Sequence, residues 1–464
     1  MNIKFMSLAE VFMKIIIVGA GKLGSNLVSL LCEEDHDITV IDTSIKLVET
    51  VVNNNDVIGC CGNGASFTTL EQAGAEKCDV FIAVTGNDEL NIMSCMVAKR
   101  VGAKKTLARV RNTDYAGQLL FMQNKLGIDL IINPELETAL EISRIIEFPS
   151  ATKVETFAKG RIDLAEISVA KDSPLDGIKL MNIRRDLDLP MLICAVNRDD
   201  EVFIPSGGFV LRAGDKVYFT AARASLSKIF LNLGIRKKKI RSALIIGGSR
   251  TSFYLAQSLQ KHGIKVKIIE NNLARASELE SSLDGPTVIC GDGTDVELLE
   301  EEGMSEYDAA VCLTDIDEEN IIISMYAERK GVRKIVCKAN RDALVQMAAS
   351  TLPTCSVVCP KDTTCAIILR YIRAVSELEG SRINTLYKIL EGRAEAVEFT
   401  AEKESALIGK PLREINLKEG IIIACISRGR EVIIPSGNTE IKAGDSVIVI
   451  TAGSPLAGLD EILR

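Results

Sequence analysis

Short apolar runs alternate with stretches of helical periodicity through the first part of the chain. Strands are predicted at 14–18, 38–41, 57–60, 80–84, 106–110 and 130–132, with one helix between the first two strands that ends at about residue 33 and another near 45–53. Alternation at this spacing is typical of βαβ units. We therefore expect an α/β domain with a Rossmann-like, doubly wound parallel sheet, which binds ligands at the carboxyl ends of its strands.

The whole pattern occurs twice, at an offset of about 229 residues, as in a repeated architecture. Gly19, after the first strand, corresponds to Gly247, and Asp42, at the end of the second strand, corresponds to Glu270. An Ile-Pro-Ser-Gly and an Ala-Gly-Asp segment also recur, at 204–207 and 434–437 and at 213–215 and 443–445. The chain is therefore predicted to contain two similar halves.

Each half ends in a stretch of shorter strands separated by glycine-rich turns. These strands are predicted at 164–169, 191–196, 201–204 and 216–220, and at 396–400, 420–427, 431–434 and 446–450. Each set predicts a small α+β module. We therefore predict α/β domains at 13–148 and 241–372, and small modules at 152–235 and 382–464. The basic segment 236–241 is interpreted as a solvated linker, and a contact with acidic lipid or phosphate is the alternative.

The composition narrows the class of protein. The net charge of −8 and the absence of Trp among 464 residues argue against nucleic-acid binding. The 13 Cys residues include no CxxC pair, so they are interpreted as structural thiols of a reducing cytosol, and no metal site is predicted. No apolar run approaches the roughly 18 residues that span a bilayer. Residues 1–12 contain one Lys and an apolar stretch shorter than we expect of a signal peptide, and we assign them no function.

A glycine loop follows the first strand and opens a helix. Gly19–Gly24 reads G-x-G-x-x-G in the strand–loop–helix context that the motif requires. Gly19 permits the tight turn, Gly21 lets the backbone approach a pyrophosphate, and Gly24 allows close packing of helix on strand. Asp42 ends the next strand, where a carboxylate can accept both ribose hydroxyls and would repel a 2′-phosphate. NAD or an adenine nucleotide is therefore favoured over NADP.

The corresponding loop of the second half is degenerate. Ser249 and Ser252 replace the second and third glycines, and a side chain at the second position crowds a diphosphate. Glu270 still stands where a ribose would lie, and Arg250 could meet phosphates. The sequence leaves open whether this second pocket holds a nucleotide or is an empty remnant of the fold.

Two polar loops and two cations are expected near the same crevices. Thr85 and Asn87 follow the fourth strand, where they can cap the next helix and also contact a nucleotide. Arg109 ends the fifth strand and could donate to phosphates, and Lys338 is its counterpart in the second half. Either cation could instead be a surface ion-pair partner.

The chain lacks the residues of an obvious enzyme. A dehydrogenase with this fold needs an acid–base group beside the nicotinamide. The two histidines, His36 and His262, fall in the turns before the second strands and are interpreted as surface residues remote from the crevices. No catalytic residue is predicted. An NAD-dependent oxidoreductase is kept as the alternative on the strength of the glycine loop and Asp42.

From Met13 onward, the opening strand, the glycine loop and the order of the four domains resemble the TrkA family. Members of that family are peripheral subunits of Trk potassium-uptake systems and contain RCK (KTN) domains. The resemblance implies NAD(H) or ATP/ADP as ligand, self-association into an RCK ring, and a membrane potassium-channel partner of the TrkH or TrkG type. It also implies a cytoplasmic, non-enzymatic protein at the inner face of the membrane, in which ligand binding shifts the populations of ring conformations.

The resemblance also implies the residues that contact the nucleotide. In the first half these are Gly19, Ala20, Gly21, Lys22, Leu23, Gly24, Asp42, Gly62, Val84, Thr85 and Arg109. In the second half they are Gly247, Gly248, Ser249, Arg250, Thr251, Glu270, Asp292, Thr314 and Lys338. A gating module for a different ion channel or antiporter is a further alternative, because its fold would be the same.

Overall fold

The computed structural model describes residues 12–34, 36–112, 115, 119–147, 153–157, 162–171, 173–187, 189–199, 201–222, 225–233, 240–352, 355–378, 383–389, 393–429, 431–452, 456 and 458–464. The chain divides into two compact units. One unit contains residues up to 146 together with 240–369, and the other contains 147–239 together with 370–464. Residues 1–11 of the leader and 236–239 of the predicted linker lie outside the described residues.

The first α/β domain is a six-stranded parallel sheet with the order β3-β2-β1-β4-β5-β6. Its strands are β1 (Lys14–Val18), β2 (Asp37–Asp42), β3 (Ile58–Cys61), β4 (Val80–Ala83), β5 (Lys105–Arg109) and β6 (Leu130–Ile132). Its helices are α1 (Lys22–Cys32), α2 (Ile45–Asn54), α3 (Phe67–Gln72), α4 (Asp88–Val101), α5 (Leu119–Leu126) and α6 (Pro134–Glu147). The strand order reverses between β1 and β4, which is where doubly wound sheets bind their ligands.

The first small module follows as a five-stranded antiparallel sheet with the order β10-β9-β11-β8-β7. Its strands are β7 (Lys153–Phe157), β8 (Ile162–Ser168), β9 (Met191–Arg198), β10 (Glu201–Phe203) and β11 (Lys216–Ala222). Its helices are α7 (Ile183–Leu187) and α8 (Leu226–Asn232). The sequence pattern did not predict β7.

The second half repeats this architecture. Its α/β domain has the strands β12 (Ser242–Ile246), β13 (Lys265–Glu270), β14 (Thr287–Cys290), β15 (Ala309–Cys312), β16 (Lys334–Lys338) and β17 (Cys355–Val358). The helices are α9 (Arg250–Lys261), α10 (Leu273–Ser282), α11 (Val296–Glu301), α12 (Asp317–Arg329), α13 (Asp342–Thr351) and α14 (Pro360–Leu378). The order β14-β13-β12-β15-β16-β17 matches that of the first sheet, and all pairs are parallel.

The second small module is again a five-stranded antiparallel sheet, with the order β18-β19-β22-β20-β21. Its strands are β18 (Ile383–Ile389), β19 (Ala394–Thr400), β20 (Ile421–Arg428), β21 (Glu431–Ile433) and β22 (Ser446–Thr451). The predicted fold class, two doubly wound parallel sheets each followed by a small α+β module, is confirmed. The four domain boundaries proposed from the sequence stay a prediction.

The two α/β domains share a core because α6 packs on the second sheet rather than on its own. Ala139, Ile142 and Ile146 of α6 lie in one buried apolar cluster with residues of β12 and α9. Polar contacts border this cluster: the Asn133 amide donates to the Tyr254 hydroxyl across 3.1 Å, and the Ser143 and Ser258 hydroxyls lie 2.8 Å apart. The last helix of the first domain is therefore part of the second domain's packing.

Helix α14 makes the reciprocal contact with the first domain. The Asn26 amide on α1 donates to the Cys365 sulfur across 3.5 Å, and Thr363 donates to Glu141 on α6 across 2.6 Å. The helix that follows the first glycine loop therefore touches the last helix of the second α/β domain.

In the other unit, the two small modules share a core of β8, β9 and β11 with β19, β20 and β22. The Thr220 hydroxyl donates to the Ala424 carbonyl across 2.6 Å at this junction. In each module, the Asp of the Ala-Gly-Asp turn also forms an ion pair with an arginine. Arg198 donates two hydrogen bonds of 2.7 Å to buried Asp215, and Arg428 pairs with Asp445 in the same way.

Candidate nucleotide site

A large cleft of about 1110 Å³ opens at the carboxyl ends of β1, β2, β4 and β5. Residues of both α/β domains line it. It brings together thirteen residues predicted from the sequence, namely Gly19, Gly21, Lys22, Leu23, Asp42, Gly62, Val84, Thr85, Arg109, Ser249, Arg250, Thr251 and Lys338. The other predicted residues are not part of its lining: Ala20, Gly24, Gly247, Gly248, Glu270, Asp292 and Thr314. The cleft therefore contains most of the first crevice and part of the second, namely the start of α9, the loop after β15 and the end of β16.

The glycine loop needs glycine at two of its three positions for steric reasons. Gly19 has a φ of +107°, and a Cβ there would lie 3.0 Å from the Thr85 nitrogen. A Cβ on Gly24 would lie 1.8 Å from the Gly19 carbonyl oxygen, so α1 can start this close to β1 only without a side chain. Around Gly21 there is no atom within 4 Å of such a Cβ, and the residue is exposed to the cleft.

The start of α1 is open toward the cleft. Gly21 is its N-cap residue, and no side chain caps the helix. The first N–H groups of a helix lack intrahelical partners and carry the positive end of the helix dipole. An anion placed over Gly21 would therefore meet hydrogen-bond donors and a favourable potential.

Asp42 braces the loop and is also available to a ligand. One carboxylate oxygen accepts a hydrogen bond from the Ala20 N–H and the other accepts one from the Ser44 N–H, both across 2.8 Å. A carboxylate has about four acceptor positions, so each oxygen can accept a further hydrogen bond from a ribose hydroxyl. The residue is half-buried at the edge of the cleft.

Asn91, which the sequence interpretation did not assign to the site, connects the fourth and fifth strand ends. Its side chain is fully buried, accepts from the Thr85 N–H across 2.9 Å, and donates to the Arg109 carbonyl across 2.9 Å. Asn320 makes the equivalent bonds to Thr314 and Lys338. The recurrence of this Asn at the same spacing in both halves was the signal that could have identified it.

Arg109 lines the cleft and has one donor without a hydrogen-bond partner among the described residues. Its guanidinium donates to the Thr85 carbonyl across 3.2 Å, but its buried Nε has no hydrogen-bond partner in the part of the chain that the structure describes. Burial lowers the pKa of Arg109, and the neighbouring positive charge of Arg111 lowers it further. A half-buried cation at the edge of the cleft fits an anionic ligand group.

Lys338 is the counterpart of Arg109 and lines the same cleft. Only 7% of the residue is exposed, and its ammonium lies 3.4 Å from the Leu313 carbonyl and 3.7 Å from the Asp315 carboxylate. Burial lowers the pKa of this lysine, and the nearby carboxylate of Asp315 opposes the shift. With Arg109 and Arg250, it is one of the basic side chains of a lining that also contains acidic ones such as Asp315 and Glu318.

The second loop satisfies its own polar groups. The Gly248 N–H donates to Glu270 across 2.5 Å and the Asn272 N–H does so across 2.7 Å, which repeats the bracing role of Asp42. Arg275 on α10 donates to the Gly248 carbonyl across 2.7 Å. Asp292 accepts from the Thr294 N–H, as Asn63 accepts from the Ala65 N–H, so the Asn at this position of the first half makes the same turn.

The remaining sequence predictions fall outside this cleft. Asn87 caps α4 through the Leu90 N–H, as expected. His36 and His262 lie near the second strands, but the His36 side chain is only 6% exposed, so its interpretation as a surface residue was wrong. All 13 cysteines are free thiols. Within the described ranges, no group of His, Cys, Asp or Glu is placed to hold a metal ion, and no helix is long and apolar enough to cross a membrane.

Family models match most of the chain. The TrkA-N domain matches residues 15–134 and 243–360, and the TrkA-C domain matches 164–234 and 396–464. The chain is 34% identical over 455 residues to the Trk system potassium uptake protein TrkA homolog of Archaeoglobus fulgidus, covering 97% of this chain and 100% of that one. It is also 34% identical over 443 residues to the Trk system potassium uptake protein TrkA of Halomonas elongata, covering 94% and 95% respectively.

Solved structures share the fold at low sequence identity. The GsuK channel superposes with a TM-score of 0.63 at 17% identity, over 96% of this chain and 78% of that one. The crystal structure of the GsuK RCK domain gives a TM-score of 0.61 at 17% identity, over 96% and 93%. A third structure, the GsuK channel bound to NAD, gives a TM-score of 0.62 at 17% identity, over 96% and 78%.

Proposed function

Because the chain belongs to the TrkA family, we propose that it regulates a Trk-type potassium-uptake system by binding NAD(H) or an adenine nucleotide in this cleft. The observation that carries the proposal is the joint placement, around one cleft, of the uncapped α1 N-terminus at Gly21, the Asp42 carboxylate and the Arg109 guanidinium. The three groups match the diphosphate, the ribose and the negative charge of such a ligand.

Each part of the ligand has a partner of suitable chemistry. The phosphates lie over Gly21, where N–H groups of the first helical turn are free to donate. The adenosine ribose hydroxyls donate to Asp42, whose carboxylate excludes a 2′-phosphate by charge repulsion. The remaining charge faces Arg109, Arg250 and Lys338 on the cleft wall. The similar structure of the GsuK channel bound to NAD supports NAD as one ligand of this fold.

Two helices offer a route from the cleft to the rest of the chain. Pro134 and Glu135, at the start of α6, line the cleft, as do Pro360 and Lys361 at the start of α14. The chain continues from each of these helices directly into a small module. A ligand that prefers one spacing of the cleft walls therefore biases the positions of both helices. It can shift the equilibrium only by its difference in affinity between the two states.

Exposed apolar side chains at matched positions support self-association. Met93 on α4 and Ile322 on α12 correspond in the two halves, and they are 52% and 64% exposed. Exposed apolar residues that recur at equivalent positions are typical of interfaces built from repeated units. We propose that copies of the chain assemble into an RCK ring through these faces, at the inner side of the membrane and against a TrkH- or TrkG-like channel subunit.

The test is nucleotide-dependent potassium flux. The chain is reconstituted in vesicles with its membrane subunit, and rubidium uptake is measured with and without NADH, NAD, ADP and ATP. A change in flux with at least one nucleotide is expected, and it should disappear in Asp42→Ala. Rubidium uptake that is the same with and without each nucleotide would overturn the regulatory role.

The NAD-dependent oxidoreductase is the alternative of a different class. It predicts that NADH is consumed in the presence of a carbonyl substrate, which a panel of 2-oxo acids and aldehydes followed by NADH absorbance would reveal. The cleft lining described above includes no His or Cys, so under this alternative a carboxylate or a lysine such as Lys338 would have to serve as the acid–base group beside a nicotinamide. A further alternative is a gating module for a different ion channel or antiporter. Co-purification of the chain with such a membrane protein would favour that function.

A further inference from the structure

The two loop helices start in the same backbone conformation but are capped differently. The N-cap Gly21 has φ −70° and ψ −173°, and the N-cap Ser249 has φ −64° and ψ 169°, so both residues are extended. No side chain caps α1. In the second half, the Ser249 hydroxyl accepts a hydrogen bond from the Ser252 N–H across 3.3 Å. The first-turn N–H that no side chain caps in the first half is therefore already bonded in the second.

Ser252 makes two further contacts within the second loop. Its hydroxyl lies 3.0 Å from that of Ser249 and donates to the Gly247 carbonyl across 2.5 Å. In the first half, a Cβ on Gly24 would collide with the Gly19 carbonyl at 1.8 Å. The second loop instead holds the Ser252 side chain at the position where the first loop brings helix and strand together without one. A dinucleotide loop depends on that close approach.

We propose that the Ser249 hydroxyl takes the place of a phosphate oxygen, so that the second loop excludes diphosphates and each chain binds one nucleotide, in the first crevice. Of the second loop, Ser249, Arg250 and Thr251 at the start of α9 line the cleft, whereas Gly247 does not. This inference rests on the proposed function, because it specifies how many nucleotides the regulatory cleft takes.

The number of nucleotides bound per chain tests the proposal on the intact protein. ADP and NADH are titrated separately into the purified protein by calorimetry, and equilibrium dialysis with labelled ADP gives an independent count. One equivalent per chain is expected for each ligand. Two equivalents would overturn the inference and leave the proposed function standing, whereas no binding at all would overturn both.

A serine introduced into the first loop tests the mechanism of exclusion. Gly21 already has the backbone conformation of Ser249, and a Cβ added to it meets no atom within 4 Å. The Gly21→Ser variant should therefore fold with an unchanged melting temperature. We expect its ADP affinity to fall at least tenfold, because the new hydroxyl caps α1 as Ser249 caps α9. Gly21→Ala adds the Cβ without the hydroxyl and should lose less affinity. Equal affinity in Gly21→Ser and Gly21→Ala would overturn the role of the hydroxyl.

The opposite exchange should open the second loop. Ser249→Gly with Ser252→Gly restores the glycine pattern of the first half and is expected to add a second, weaker equivalent of ADP. A count that stays at one in a folded double variant would overturn the assignment of exclusion to these serines. The wild-type count and the Gly21 variants decide the proposal even where the double variant does not fold.

Discussion

The Gly24 position touches the Gly19 carbonyl so closely that a Cβ atom there would lie 1.8 Å from the oxygen. Two residues of one motif therefore fix the distance between the end of β1 and the start of α1. That distance determines whether the first N–H groups of α1 reach a ligand at the cleft. The absence of a side chain at Gly24 is a structural requirement, whereas at Gly21 it leaves room for a ligand.

Gly24→Ala should lose both stability and nucleotide binding. The methyl group forces α1 away from the loop, and strain of this kind costs about 1–3 kcal/mol. We expect a lower melting temperature without ligand and no stabilisation by NADH or ADP, which a thermal-shift titration would measure.

Gly21→Ala is the matched control for this effect, since its Cβ meets no atom within 4 Å and its φ of −70° suits any residue. It should retain the melting temperature of the ligand-free wild type. Equal destabilisation by the two substitutions would contradict the role of the Gly19–Gly24 contact.

Asp215→Asn should destabilise the first small module and change its response to acid. Burial on its own raises the pKa of Asp215, but the hydrogen bonds from Arg198 and from the Arg212 N–H outweigh it, so the pKa lies below its ordinary value. Removing one partner of this pair leaves the other charge uncompensated, at a cost of roughly 3 kcal/mol. The measurement is the melting temperature of both proteins from pH 7 to pH 3.

The sign of the pH effect follows from linkage. A carboxylate with a depressed folded pKa stabilises the protein above its unfolded pKa of about 4 and loses that contribution as pH falls through the folded value. The gap between wild type and Asp215→Asn should therefore narrow in acid. Asp186→Asn is the control, because Asp186 and its partner Arg185 are both exposed and no measurable change is expected. A gap that stays constant to pH 3 would contradict the account.

Lys338→Met should make the ligand-free protein more stable and bind nucleotide more weakly. Burial lowers the pKa of Lys338, which means that the charged form is disfavoured in the folded state. Replacing it with an apolar side chain of similar length is expected to gain about 1 kcal/mol of unfolding free energy. Loss of a cation from the cleft should weaken ADP binding about tenfold, equivalent to 1.4 kcal/mol.

The stability gain in Lys338→Met should depend on pH. A lysine with a lowered folded pKa binds fewer protons in the folded than in the unfolded state, so wild-type stability rises with pH in the range between the two values. The difference in melting temperature between variant and wild type should shrink as pH is raised from 7 toward 10. A variant that is less stable than wild type at pH 7 would show that Lys338 is a structural ion-pair partner instead.

The repeat and the sheet topology were predictable from sequence because both depend on local periodicity. Alternating strands and helices specify βαβ units, and a glycine loop after the first strand marks the carboxyl edge of the sheet. The strands β7 and β18 were missed. Their position at a sheet edge does not explain this, because β10 and β21 lie at the opposite edges of the same sheets and were predicted.

The shape of the cleft could not be predicted, because it depends on contacts between residues far apart in the chain. Nothing near α6 in sequence indicates that Ile142 and Ile146 pack against the second sheet. Because α6 packs on the second sheet, Arg250 and Lys338 line the same cleft as Gly21 and Asp42. The recurrence of Asn91 as Asn320 marked the position, but its hydrogen bonds could not be predicted, since its partners are the ends of two different strands.

The most direct measurement is a calorimetric titration of NADH and ADP into wild type, Asp42→Ala and Glu270→Ala. Both variants lose a carboxylate that accepts two backbone N–H groups, so they are matched in structural cost. Hydrogen bonds to a charged group contribute about 1.5–3 kcal/mol, so Asp42→Ala should bind roughly 10–100-fold more weakly. Glu270→Ala should bind as wild type does. Undiminished affinity in Asp42→Ala would place the nucleotide somewhere other than this cleft.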